Sequence, residues 1–202
     1  MNFLNPQTDV AFKKLFGDDA HKNLVINFLN SLLERVEGEK IVDAVVNHEN
    51  PVVGILPNEP VILDICCTDQ KNNKCFFEIQ VMAPEDCFVR ATCYASLALG
   101  RQKPYGELIP VIFVGILNFD ISTDTDYISH HTLCDKETGQ PTELSIMHYY
   151  FIELNKFNKD LETIDTDLDK WIYLFKHAAS LHSVPSAFKE PVFAQAFDRL
   201  SH

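Results

Sequence analysis

Two runs of alternating character, 60–68 and 74–82, constrain this chain more than any other feature. Between them lies the polar stretch Asp69-Gln70-Lys71-Asn72-Asn73, so the pair reads as a β-hairpin. With the hairpin centred on Lys71, opposed residues have numbers that sum to about 142. Asp64 then stands opposite Glu78, and Ile62 opposite Gln80. Val61, Leu63, Ile65 and Cys67 share one face with Cys75, Phe77, Ile79 and Val81, a wholly apolar set destined for a core. The other face collects Asp64, Glu78 and Gln80.

The remaining chain supplies what such a hairpin needs on either side. Thr8 is placed to cap a first helix carrying Phe12, Leu15 and Phe16 at helical spacing, with Asp9 in its first turn and Gly17 at its end. A second helix is expected from about Ala20 to Glu37, stopped by Gly38. Strands are expected at 41–48, 108–118, 127–133 and 145–154, and helices at 84–101, 167–181 and 191–200. Pro84 is read in the first turn of its helix. The run 108–118 is apolar enough for a buried central strand. This order predicts an α/β fold, a central mixed sheet flanked by helices, in a single domain spanning 1–202 with a core at about 5–120 and a less regular β/α extension after it.

Opposed side chains on one face of a hairpin lie about 4.5–5.5 Å apart. Two carboxylates held that close repel, which makes sense if a cation sits between them. Mg²⁺ takes oxygen ligands, commonly one or two carboxylates with water and substrate phosphate, and can activate water against a phosphodiester. Gln80, two residues after Glu78, belongs to the same site and could orient that water. The alternative is a solvated strand face.

Charge argues the other way. The formal net charge is −12. Residues 1–110 carry 10 basic and 15 acidic residues, and the remainder 7 and 14, so neither part has the basic balance usual for a nucleic-acid binder. No apolar run reaches the length of a membrane span, and Met1 to Lys14 lacks the pattern of a secretory signal. The six cysteines form no CxxC pair and no disulfide framework, so reduced thiols and a cytoplasmic location are expected.

Asp64, preceded by Pro60, and Glu78-Ile79-Gln80 resemble the Asp…Glu-x-Lys core of the PD-(D/E)xK nuclease superfamily. Thr8-Asp9-Val10-Ala11-Phe12-Lys13-Lys14-Leu15-Phe16 is similar to the opening signature of its recombination-promoting, transposase-type (Rpn) branch, where the lysine is commonly glutamine, as at Gln80. Phe88-Val89-Arg90 through Tyr94, Gln102, Tyr105-Gly106-Glu107-Leu108 and Pro110-Val111-Ile112 also resemble that branch. The resemblance covers residues 5 to about 120 well and the tail loosely. It implies a restriction-endonuclease-like core and a DNA endonuclease using Mg²⁺ or Mn²⁺. Asp64 and Glu78 would be metal ligands, Asp9 a third, and Gln80 a catalytic partner. Many relatives of this fold cut both strands as dimers, so a homodimer is an expectation. The chain stops at His202, where members of the branch often continue into a further helical, charged region. Together with the acidic balance, this keeps a second class open: an inactive or truncated copy of the fold serving as a protein-interaction module.

Arg90, Tyr94 and Arg101 fall within about 40° of one another on a helix. Either they line a DNA backbone, or Tyr94 covers the edge of the sheet. Lys13 is counted with Arg90 and Tyr94 along the substrate path, although Lys13 and Lys14 also fit a solvated face. His130 and His131 are neighbours on a strand and point to opposite faces, so they do not share a zinc ion with Cys134. Asp165, Asp167 and Asp169 lack the glycine and glutamate of a calcium loop and read as helix-capping residues.

Overall fold

A computed structural model describes residues 3–34, 36–47, 62–82, 84–102 and 108–201. It is α/β, as expected, with a mixed sheet and flanking helices. The chain forms two compact units, one drawn from residues 1–46, 68–72 and 157–202 and the other from 47–67 and 73–156.

The first unit is mainly helical. Helix α1 spans Asp9–Phe16, α2 Lys22–Leu32, α4 Asp167–His177 and α5 Pro191–Leu200, and strand β1 spans Ile41–Asn47. The apolar residues at three- and four-residue spacing meet in an aromatic core. Phe12, Phe16, Phe28, Trp171 and Phe175 are buried, with ring centroids 5.2–6.4 Å apart. The Trp171 indole N–H would be costly to bury alone, and it donates to Asn27 Oδ1 at 2.7 Å. Gly17 ends α1 for a steric reason: a Cβ there would lie 2.8 Å from the Lys13 carbonyl oxygen. Thr8 stands at the N-cap position, but its hydroxyl donates back to the Asn5 carbonyl at 2.8 Å and caps nothing in the first turn. Helix α2 is preceded by a 3₁₀ turn at Asp19–His21 and stops at Leu32, earlier than expected, because the chain turns left-handed at Glu34 (φ 48°). Its apolar face, Leu24, Val25, Phe28, Leu29 and Leu32, is complete by then. In α4 the cap is Thr166, whose hydroxyl accepts from the Asp169 N–H, with Asp167 and Asp169 in the first turn.

The second unit carries the sheet that concerns function. Strand β2 spans Ile62–Asp69, β3 Lys74–Met82, β4 Val111–Leu117, β5 Ile128–Thr132 and β6 Met147–Glu153, in the order β2-β3-β4-β6-β5. β3, β4 and β6 are mutually parallel and β5 runs antiparallel to β6. Parallel neighbours need a crossover, and helix α3, Cys87–Arg101, connects β3 to β4. It begins three residues after Pro84, because Asp86 sits at φ 56° and breaks the run. β4 is buried at every position, as its composition predicts. The alternation in the hairpin is also seen: Ile65, Cys67, Cys75 and Phe77 are buried, whereas Cys66 and Phe76 are half-buried. The turn between β2 and β3 closes with Asn72 N–H to the Asp69 carbonyl at 3.0 Å and Asn72 at φ 62°.

Gln102 terminates α3 with a two-point clamp. Its amide donates to the Ile109 carbonyl at 2.9 Å and accepts from the Ile109 N–H at 2.7 Å. Both backbone groups lose a partner in Gln102→Ala, so a destabilisation of about 1–3 kcal/mol is expected in thermal or urea unfolding. An unchanged midpoint would remove the clamp from the account.

Candidate functional site

Asp64 lies in β2, and Glu78 and Gln80 lie in β3, its hydrogen-bonded neighbour. Asp9 is the first residue of α1 and belongs to the first unit. The side chains of these four lie outside the described residues, as does Pro60, but the backbone frame around the three strand positions is described. Two rows cross the sheet there. One runs Glu78–Phe113–Tyr149–His131, the other Gln80–Gly115–Phe151–Ser129. The glycine means that no side chain stands beside position 80 on β4.

α3 packs on β4 and β6 at these rows. Ala91, Tyr94, Ala95 and Ala98 form a core with Val111, Phe113, Leu117 and Phe151, and Phe76 packs against it. Alanines at helical spacing allow the helix to lie close. Tyr94 is only 2% exposed, which corrects the expectation that it lines an outer face with Arg90 and Arg101. Four residues after Arg90, it is turned into the core. Arg101 is exposed.

Arg90 is the unusual residue of α3. It is half-buried, and its Nε and Nη2 are both shielded from solvent without a hydrogen-bond partner among the described residues. A buried guanidinium left in that state is costly, and a bound anion would satisfy it. Beside it the Cys87 thiol is buried at the start of α3; burial pushes its pKa up, so it is held as a protonated thiol and is a poor nucleophile. Tyr149 is also pushed up by burial, with the Thr92 hydroxyl acting against that. Lys13 is exposed on α1 in the first unit, and Lys14 is tied down through Nζ to the Ser201 carbonyl at 3.2 Å.

A cleft of about 490 Å³ opens at the start of α3, lined by Asp86, Phe88, Val89, Phe119 and Ile121 among others. Its far wall, residues 119–121, follows β4 and is held by Glu153 at the end of β6. Glu153 is 0% exposed. One of its oxygens accepts from the Ile121 N–H at 2.7 Å and the other from Lys156 Nζ at 2.9 Å, while Lys156 also donates to the Ser122 hydroxyl at 2.7 Å.

Two histidines meet across the outer pair of strands. His130 Nε2 lies 3.1 Å from His148 Nδ1. The His130 ring stacks on Tyr150, centroids 4.2 Å apart and planes 7° from parallel. Burial, and for His130 also the neighbouring imidazoles, pulls both pKa values down, which favours neutral rings. His131 lies in the Glu78 row opposite Tyr149, with its ring edge-on to Phe151, and makes no contact of this kind with His130. Among the described residues no group of three or more His, Cys, Asp or Glu is arranged to hold a metal ion.

Sequence reading did not anticipate Glu153 or the His130–His148 pair. A lone acid at the end of the run Ser145–Leu154 was the signal for the first. The second requires the pairing of β5 with β6, in which Thr132 faces His148 and places His130 on the diagonal.

The family profile of the PD-(D/E)XK nuclease family transposases matches residues 6–202. No curated protein and no solved structure matches the chain. No helix among the described residues is long and apolar enough to cross a membrane.

Proposed function

The chain belongs to the PD-(D/E)XK nuclease family transposases, and from that premise we propose that it is a metal-dependent DNA endonuclease acting in the cytoplasm, with Asp64, Glu78 and Gln80 as its site. The observation that carries this reading is the pairing of β2 with β3, which makes the strand of Asp64 the neighbour of the strand of Glu78 and Gln80. The donor set suits a hard divalent cation: two carboxylates supply oxygen and charge, and the Gln80 amide adds a neutral oxygen. Asp64 and Glu78 would hold Mg²⁺ or Mn²⁺. When bound, the cation supplies Lewis-acid activation of the phosphodiester and lowers the pKa of the attacking water.

The chain's own residues do the rest. Gln80 orients the water through its amide. A lysine at this position would bring a positive charge, which glutamine lacks, so electrostatic stabilisation of the phosphate falls more heavily on a second cation. Arg90 is the cation best suited to that, since two of its guanidinium nitrogens, Nε and Nη2, are shielded from solvent without a hydrogen-bond partner among the described residues.

The test is conversion of supercoiled plasmid to nicked and linear forms by purified protein with Mg²⁺, with Mn²⁺ and with EDTA. Cutting with either metal and none with EDTA is expected. Arg90→Ala should lower kcat for cleavage more than it raises KM for DNA. A folded protein that cuts with neither metal would overturn the reading. It would leave a protein-interaction module on the same fold, which the net charge of −12 favours.

A further inference from the structure

We propose that His130 and His148 form a second metal site, distinct from the carboxylates of β2 and β3, for a borderline divalent cation of the Zn²⁺, Ni²⁺ or Cu²⁺ class. The two ring nitrogens face each other at 3.1 Å, and the ring centroids are 5.3 Å apart. A tetrahedral Zn²⁺ with nitrogens at about 2.0–2.1 Å needs its two nitrogens roughly 3.4 Å apart, so the pair lies within a few tenths of an ångström of chelating distance. Imidazole nitrogen suits these ions, whereas Mg²⁺ prefers oxygen.

Three features favour binding over a chance approach. The strands are fixed, because β5 pairs with β6 over Ile128–Thr132. The His130 ring is held by its stack on Tyr150, so little rotamer freedom is lost when it ligates. The facing atoms are ring nitrogens, Nε2 of His130 and Nδ1 of His148, either of which can offer a lone pair to an ion. Among the described residues no third side chain completes the set, so water fills the remaining positions.

The proton balance is simple. In the free protein, one imidazole N–H lies between the two rings and is shared as a hydrogen bond. On binding, that proton moves to the other nitrogen of its own ring, both imidazoles stay neutral, and each presents a lone pair to the ion. The shared hydrogen bond is replaced by two metal–nitrogen bonds that join β5 to β6.

The test is isothermal titration of the full chain with Zn²⁺ in excess Mg²⁺, beside His130→Gln, His148→Gln and His131→Gln. One Zn²⁺ per chain is expected. The affinity should fall about tenfold or more in each of the first two variants and stay unchanged in His131→Gln. Ring-nitrogen NMR of the parent protein supplies a readout independent of any substitution: the signals of His130 and His148 should shift on addition of Zn²⁺. Equal affinity in all four proteins, or no movement of those two ring signals, would overturn the site. Because the readout is Zn²⁺ binding, its failure leaves the nuclease reading intact, and absence of DNA cleavage leaves this site intact.

Discussion

Asp64→Ala is expected to leave supercoiled plasmid intact under conditions where the parent protein cuts it with Mg²⁺, a loss of about a thousandfold or more. A divalent cation held by two carboxylates loses half its charge complement when one is removed, and with it the positioning of water and phosphate. The same substitution has a second, opposite signature. On the register read from the hairpin, Asp64 and Glu78 are directly opposed like charges, which destabilise a strand pair by about 0.2–1 kcal/mol. Without metal, Asp64→Ala should therefore melt no lower than the parent, and slightly higher if the repulsion is relieved. Activity lost at unchanged or increased stability marks a functional carboxylate. Activity lost with a lowered melting temperature marks a structural one. Cutting at the parent's level by Asp64→Ala would sink the site outright.

The largest expected change in stability is elsewhere. Glu153→Ala removes the anion from a buried pair in which Glu153 is fully buried and Lys156 nearly so. It also takes the acceptor from the Ile121 N–H. Truncating one partner of such a pair costs about 3–5 kcal/mol, because the remaining charge stays desolvated. A typical domain has about 5–15 kcal/mol in all, so Glu153→Ala is expected to shift the urea midpoint strongly and to loosen residues 119–121 along the cleft. Glu153→Gln keeps an acceptor for Ile121 without the charge, and should fall between parent and alanine. A cost under about 1 kcal/mol for the alanine variant would show that Lys156 finds water when its partner is gone.

The elements were largely legible because their signals are local. β3 at Lys74–Met82 and α5 at Pro191–Leu200 match the expected runs residue for residue, each bounded by polar or proline punctuation. The errors came where backbone conformation, not side-chain periodicity, decides. Glu34 and Asp86 adopt positive φ without being glycine, so the end of α2 and the start of α3 were misplaced. The adjacency of β2 and β3, on which the proposed grouping of Asp64, Glu78 and Gln80 rests, was readable because strand alternation and a short turn mark it. Tyr94 was misread for the reverse reason: helical spacing places it with Arg90 and Arg101 but does not say which side of the helix the sheet occupies. The division of the chain was not legible at all, since the first unit gathers residues distant in sequence.

That gathering has a consequence for how the protein is made. Phe12, Phe16 and Phe28 leave the ribosome long before their partners Trp171 and Phe175. At about 5–20 residues per second, on the order of ten to thirty seconds separate Phe16 from Phe175. Throughout that interval the amino-terminal helices present an uncovered aromatic surface, while the strands of the second unit are already available to fold. A nascent chain of this order is expected to present that surface to chaperones until Trp171 and Phe175 emerge to cover it.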